Sequence, residues 1–221
     1  MDLLGLKQKH IRDTLGIGID FGKVHAFIDF GNVNYWFAAD RQASDGTSLK
    51  DDERLEVDIA ALHTFVDCFA EDARFYYGHD AGNPGSLGFI RVARDAFGKH
   101  RVHTKQIQKI RHYLGENEAA LNTRETYSDV SGTFILIPKC NFDVEIAVDA
   151  IRQAGNYDTF CLLSSDADFV HLARYLKSKG KKVLLIKGGY IVHQLKTIAD
   201  LVISAQDIKK FITVIKQKPG Q

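Results

Sequence analysis

Thr159-Phe160-Cys161-Leu162-Leu163-Ser164-Ser165-Asp166-Ala167-Asp168-Phe169 is a short apolar run, a polar break with two acids, and the start of a different periodicity. The first five residues read as a strand. From 169 to 179 apolar residues recur at helical spacing, Gly180 supplies a C-terminal stop, and a second apolar run follows at 182–186. Strand, helix and strand in immediate succession make a βαβ unit, which requires parallel strands.

Working outward, the same alternation fills the chain. Strand-like runs occur at 24–30, 73–77 and 101–106, and helical patterns at 58–70, 86–97, 144–154 and after Asp207. Gly155-Asn156 closes the 144–154 pattern as Gly180 closes the next. The expectation is an α/β fold with a central, mostly parallel sheet of about five strands. Two stretches are less regular. Residues 38–57 are polar and read as an insertion or lid, while 111–138 has a turn-like middle and then an apolar run at 133–137, read as an extra edge strand. Residues 1–22 read as a lead-in helix and glycine-rich loop, and 23–221 as the main domain.

Composition narrows the function classes. The 221 residues carry 29 Lys+Arg against 28 Asp+Glu, so bulk charge names no polyanionic partner. The charges are segregated, however. Residues 91–112 hold seven Lys/Arg, three His and one acid, which makes Arg91, Arg94, Arg101 and Lys105 the candidate contacts to a phosphate backbone. A solvated helix face is the plainer reading of the same pattern. Cys68, Cys140 and Cys161 have no CxxC spacing, which argues against a disulfide framework or structural zinc and suits a reducing cytoplasm. No stretch reaches the length of a membrane span, and the charged N-terminus lacks the apolar core of a secretory signal.

In an open parallel sheet, ligands bind outside the carboxyl ends of the strands. Asp29 closes the first apolar run, with Asn32 three residues on. Asp166 and Asp168 follow the 159–163 strand, and Asp143 opens the 144–154 helix after Lys139-Cys140-Asn141-Phe142. At about 100° per residue Ile146, Ala147, Ala150 and Ile151 share a side with Asp143, so its carboxylate sits at the tip of the core-facing stripe. Asp149 falls on the flank with Glu145 and Arg152, where a salt bridge or solvent is expected. Each acid alone has a structural explanation, a helix N-cap for Asp143 and Asp166 or a turn for Asp29. Gathered at one edge they would repel, and a hard divalent cation, Mg²⁺ or Mn²⁺, relieves that repulsion. Such a centre suits phosphodiester hydrolysis, with Asn32, Ser164 and Ser165 supporting the carboxylates or a phosphate.

The segments Phe27-Ile28-Asp29-Phe30-Gly31-Asn32, Asp143-Val144-Glu145-Ile146-Ala147-Val148-Asp149-Ala150 and Leu163-Ser164-Ser165-Asp166-Ala167-Asp168-Phe169 resemble the NYN domain, a branch of the PIN-like nucleases, and within it the LabA-like group. The resemblance spans roughly residues 24–205. It implies a three-layer α/β/α PIN-like fold and a Mg²⁺- or Mn²⁺-dependent ribonuclease. By motif position it makes Asp29, Asp143, Asp166 and Asp168 the catalytic and metal-holding set, with Asn32 as companion, and it raises Asp149. RNA is the implied partner, single-stranded DNA a second candidate, and a homodimer an admissible assembly. The family often has Lys-Gly-Val-Asp before the helix. Here Lys139-Cys140-Asn141-Phe142-Asp143 is one residue longer, which leaves the lysine's role open.

Two rivals compete. A phosphatase of the haloacid dehalogenase type also uses strand-end aspartates, but it needs a second aspartate two residues after the first, where this chain has Gly31. A catalytically silent RNA-binding module would not need all four acids. The aromatic run Tyr35-Trp36-Phe37 reads as core packing rather than a base-stacking surface, and His79, His171 and His193 as ordinary loop, surface or helix residues.

Overall fold

The computed structural model describes residues 3–115 and 125–218. In chain order the elements are α1 (Leu3–Leu15), β1 (Val24–Asp29), α2 (Phe30–Val33), β2 (Glu53–Val57), α3 (Ile59–Val66), β3 (Asp72–His79), α4 (Pro84–Phe97), β4 (Val102–Gln106), β5 (Gln108–Tyr113), β6 (Thr126–Asp129), β7 (Gly132–Lys139), α5 (Asp143–Arg152), β8 (Thr159–Leu163), α6 (Val170–Ser178), β9 (Lys182–Lys187), α7 (His193–Ile198), β10 (Leu201–Ser204), α8 (Ala205–Ile212) and β11 (Thr213–Gln217).

Six strands form one all-parallel sheet in the order β10-β9-β8-β1-β3-β4. Its central strands are apolar on both sides, because both sides are covered. Val24, Ala26 and Ile28 of β1 join Cys161, Leu163, Leu184 and Ile186 in one core, closed by side chains of α1, α3, α4 and α8. The intervening Phe27, Phe160, Leu162, Val183 and Leu185 join a second core under α5, α6 and α7. Successive strand residues point to opposite faces, so the sheet itself separates the two cores. The result is a three-layer α/β/α sandwich with a parallel centre, as the strand and helix runs imply.

The sheet has six strands rather than about five, the addition being β10 at the edge. The apolar run at 133–137 belongs to β7, the middle strand of a separate antiparallel sheet ordered β5-β7-β6. It is therefore not an edge strand. Only Ile107 separates β4 from β5, so the chain passes directly from the parallel sheet into the antiparallel one. In the polar stretch after α2, residues 53–57 form β2 and pair antiparallel with β11. The loop before it is pinned where Lys209 of α8, nearly buried, meets Asp40 at 2.6 Å.

Strand order fixes where a ligand can sit. The chain lays down β1, β3 and β4 in one direction and β8, β9 and β10 in the other. The reversal falls between β1 and β8, where loops leaving adjacent carboxyl ends diverge to opposite faces and open a crevice.

Candidate metal centre

Asp29 ends β1 and Asp166 lies three residues beyond the end of β8, so both stand at that reversal. Asp166 caps the short 3-10 turn 167–169, its Oδ1 accepting the N–H of Asp168 at 3.0 Å. That turn carries the Asp168 carboxylate toward the N-terminus of α5. Asp143 is the first residue of α5 and caps nothing; the position before it is Phe142. Its N–H donates to Asn141 Oδ1 at 2.7 Å, and Asn141 Nδ2 donates back to Asp143 Oδ2 at 2.6 Å. One carboxylate oxygen each of Asp143, Asp166 and Asp168 can be chosen so that all three lie within 4.8 Å of one another. Asp29 stands beside this trio and feels the charges of Asp143 and Asp166.

Electrostatics fit a cation. Burial pushes Asp29 up to about 6, with Asp143 and Asp166 adding to the rise, while the Ser164 hydroxyl and the Asn32 backbone N–H oppose it. Asp143 is raised by burial and by the charges of Asp166 and Asp168, against the opposing amide of Asn141. In both cases the charges that act are those of other carboxylates, not of a lysine or arginine. A cluster of oxygen donors without a basic counter-ion matches Mg²⁺ or Mn²⁺ in donor type and charge.

A hydrogen-bond frame holds the carboxylates in place. Ser164, fully buried, donates to Asp29 Oδ2 at 3.0 Å and accepts the N–H of Asp166 at 3.2 Å, so one hydroxyl ties the ends of both strands together. Asn32 Oδ1 accepts from Ser165 N at 3.1 Å and from Trp36 Nε1 at 2.9 Å. Ser165 turns away from the acids and donates to the carbonyl of Gly188. Of the two serines, Ser164 is thus the one touching a carboxylate, and Ser165 fastens the loop after β9. Asn141 was assigned no role from sequence. Its signal was its place two residues before Asp143, in the Asx-turn position.

Asp149 is not gathered with the trio. It lies on α5 six residues after Asp143, roughly 9 Å along the axis. There it accepts from Tyr76 Oη at 2.8 Å and lies 3.7 Å from Arg74 and 3.6 Å from His103. Burial and this carboxylate keep the Tyr76 phenol protonated far above its usual range. The flank read from helix geometry is the one observed.

The basic segment divides. Arg101 Nε pairs with Asp72 at 2.6 Å. Lys105 pairs with Glu145 at 2.6 Å, donates to the Asn141 carbonyl at 2.6 Å and lies 4.9 Å over the Phe142 ring, so it braces the loop that carries Asp143. Arg91 and Arg94 line a separate hollow between α4 and the strands β3 and β4, together with Asp95, Lys99, His79 and Thr104. Beside the acids lies a cleft of about 480 Å³, lined by Asp29, Asp143 and Asp166 and also by Tyr35, Ile107, Pro138 and Lys139.

The model of the NYN domain family matches residues 23–212. The chain is 31% identical over 75 residues to the low amplitude and bright protein LabA of Synechococcus elongatus. That match takes in 34% of this chain and 40% of the relative's length. A crystal structure of a protein of unknown function from Vibrio parahaemolyticus superposes with a TM-score of 0.55 over 86% of this chain and 95% of that one. At 20% identity this is a likeness of fold.

Proposed function

The chain belongs to the NYN domain family, and on that premise we propose that it is a divalent-metal-dependent ribonuclease hydrolysing phosphodiester bonds, with Asp29, Asp143, Asp166 and Asp168 as its acidic set. The observation that carries this reading is the convergence of three carboxylates within 4.8 Å, with a fourth, Asp29, beside them. Asp143, Asp166 and Asp168 would hold Mg²⁺ or Mn²⁺. When bound, such a cation supplies Lewis-acid polarisation of a phosphoryl oxygen and charge for the developing anion.

The chain's own residues do the rest. Ser164 and Asn141 orient Asp29 and Asp143, so the carboxylates are in place before substrate arrives. Asp29, beside the trio, offers a carboxylate oxygen that can receive a proton from an attacking water. Lys139, lining the same cleft, is suited to a neighbouring phosphate as a point charge.

The test is cleavage of labelled single-stranded RNA with Mg²⁺ or Mn²⁺, comparing wild type, wild type with EDTA, and Asp166→Asn. Metal-dependent cutting is expected from wild type, with a loss of at least about 100-fold in the variant, the scale of removing a preorganised electrostatic group. Calorimetric titration of the same proteins with Mn²⁺ reads the metal site directly. Metal uptake without cutting across several RNAs would overturn the hydrolase and favour a binding module. Cutting that survives Asp166→Asn would place the activity elsewhere.

A further inference from the structure

We infer that the cleft beside the acids receives one unpaired nucleotide whose base stacks on Tyr35, so that the site selects single-stranded nucleic acid and excludes duplex. This rests on the nuclease reading above and goes beyond it by naming the residue that enforces strandedness. Three observations lead to it.

The first is exposure. In the turn after α2, Val33 and Phe37 are buried in the core, and Trp36 is hydrogen-bonded to Asn32. Tyr35, between them, is 70% exposed. Among the described residues no other ring and no cation lies against it. Core packing therefore accounts for Phe37 and part of Trp36, not for Tyr35.

The second is placement. Tyr35 lines the same cleft as Asp29, Asp143 and Asp166. The cleft is also lined by apolar Ile107 and Pro138, by the amide side chains of Asn34 and Asn141, and by Lys139, the last residue of β7. Acids for a cation, an open ring for a base and a lysine for the next phosphate are the three chemistries that a nucleotide brings. The cleft of about 480 Å³ falls in the range that takes small ligands, roughly 300–1,000 Å³.

The third is rigidity. The Tyr35 N–H donates to the Asn32 carbonyl at 3.2 Å, and the Asn32 side chain holds both Trp36 and the backbone of Ser165, next to Asp166. The backbone that carries the ring is thus set at a defined place relative to the carboxylates rather than on a free loop. Bases in a duplex are stacked on each other and can reach such a ring only by leaving the helix. Stacking is blind to the 2′-hydroxyl, so RNA and DNA single strands share this contact.

The experiment measures binding, separately from cutting. The full chain, with Ca²⁺ in place of Mg²⁺, is titrated into oligonucleotides of one sequence carrying 2-aminopurine. Single-stranded RNA, single-stranded DNA and a blunt duplex form separate arms. Wild type, Tyr35→Ala and Tyr35→Phe are compared. Tyr35→Ala should weaken binding to both single strands on the order of 10-fold and lose the quenching of 2-aminopurine, while Tyr35→Phe keeps both and the duplex arm does not change. Equal binding by Tyr35→Ala and wild type, or an equal loss on duplex, would overturn the proposal. The nuclease reading is judged by the Asp166→Asn cleavage comparison, so failure of one leaves the other standing.

Discussion

Asp29 ends a strand whose neighbours on both sides are apolar, and its carboxyl responds by holding a proton to about pH 6. That has a thermodynamic consequence. In the unfolded chain the same carboxyl ionises near 3.8, so between 3.8 and about 6 the folded state binds more protons. Stability of the metal-free protein therefore falls as pH rises through that window, and the loss is complete above it. The displacement corresponds to about 3 kcal/mol at pH 7. Asp29→Asn keeps the shape and removes the ionisation. It is expected to stabilise the metal-free protein by up to about that amount at pH 7, with the difference closing by pH 4. Urea denaturation at the two pH values measures it, and a variant less stable than wild type at pH 7 would contradict the burial argument. At this scale the acids were legible in the sequence, because each directly follows a strand or opens a helix. Ser164, Asn141 and Tyr35 were less so. Their roles depend on what lies across the crevice, which spacing along the chain does not carry.

Elements were legible in proportion to how much apolar surface they bury. Four of the six central strands announce themselves as apolar runs, β4 is legible more faintly from Val102 and its β-branched Thr104, and 159–163 coincides with β8 to the residue. The sixth, β10, has four residues, the last of them the serine that caps α8, too few to show a period. The antiparallel sheet was read only in part because β5 is exposed along its whole length and so has no inward face to mark it. The pairing of β2 with β11 joins distant parts of the chain and has no local signature. One junction between elements makes a sharp prediction. Gly188, just after β9, lies so close to the Trp36 ring that a Cβ there would fall 2.3 Å from Cδ1. Gly188→Ala must displace Trp36, breaking its bond to Asn32 and loosening the frame around Asp166. Trp36 is the single tryptophan. The variant should shift the intrinsic emission, keep the far-ultraviolet circular dichroism of wild type, and lose activity on the order of 10-fold, since small misplacements at a reacting centre are costly. Unchanged emission would show that the loop gives way instead of the ring.

Across the whole molecule the two halves of the sheet meet along one seam, β1 against β8, and the acidic centre bridges its open end. Asp29 comes from one half and Asp143, Asp166 and Asp168 from the other. A cation bound there adds charge where carboxylates now repel, and a ligand that binds only the folded form stabilises it by mass action. Mn²⁺ at about 100 times its dissociation constant should therefore add roughly 2.7 kcal/mol. Scanning calorimetry would show the melting temperature rising for wild type and much less for Asp143→Asn. Equal rises in both proteins would mean that the ion binds away from these acids. Among the described residues no helix is long and apolar enough to cross a membrane.

The hydroxyl of Ser164 reaches Asp29 across 135 residues of chain. During synthesis the ribosome releases Asp29 early, while its tether and the neighbouring acids are still to come. Domains emerge from the N-terminal side first, so the nascent chain carries half of a seam and none of the completed centre. On the proposed nuclease reading, the chain cannot cut the messenger or the ribosome that are making it until the second half of the sheet has docked.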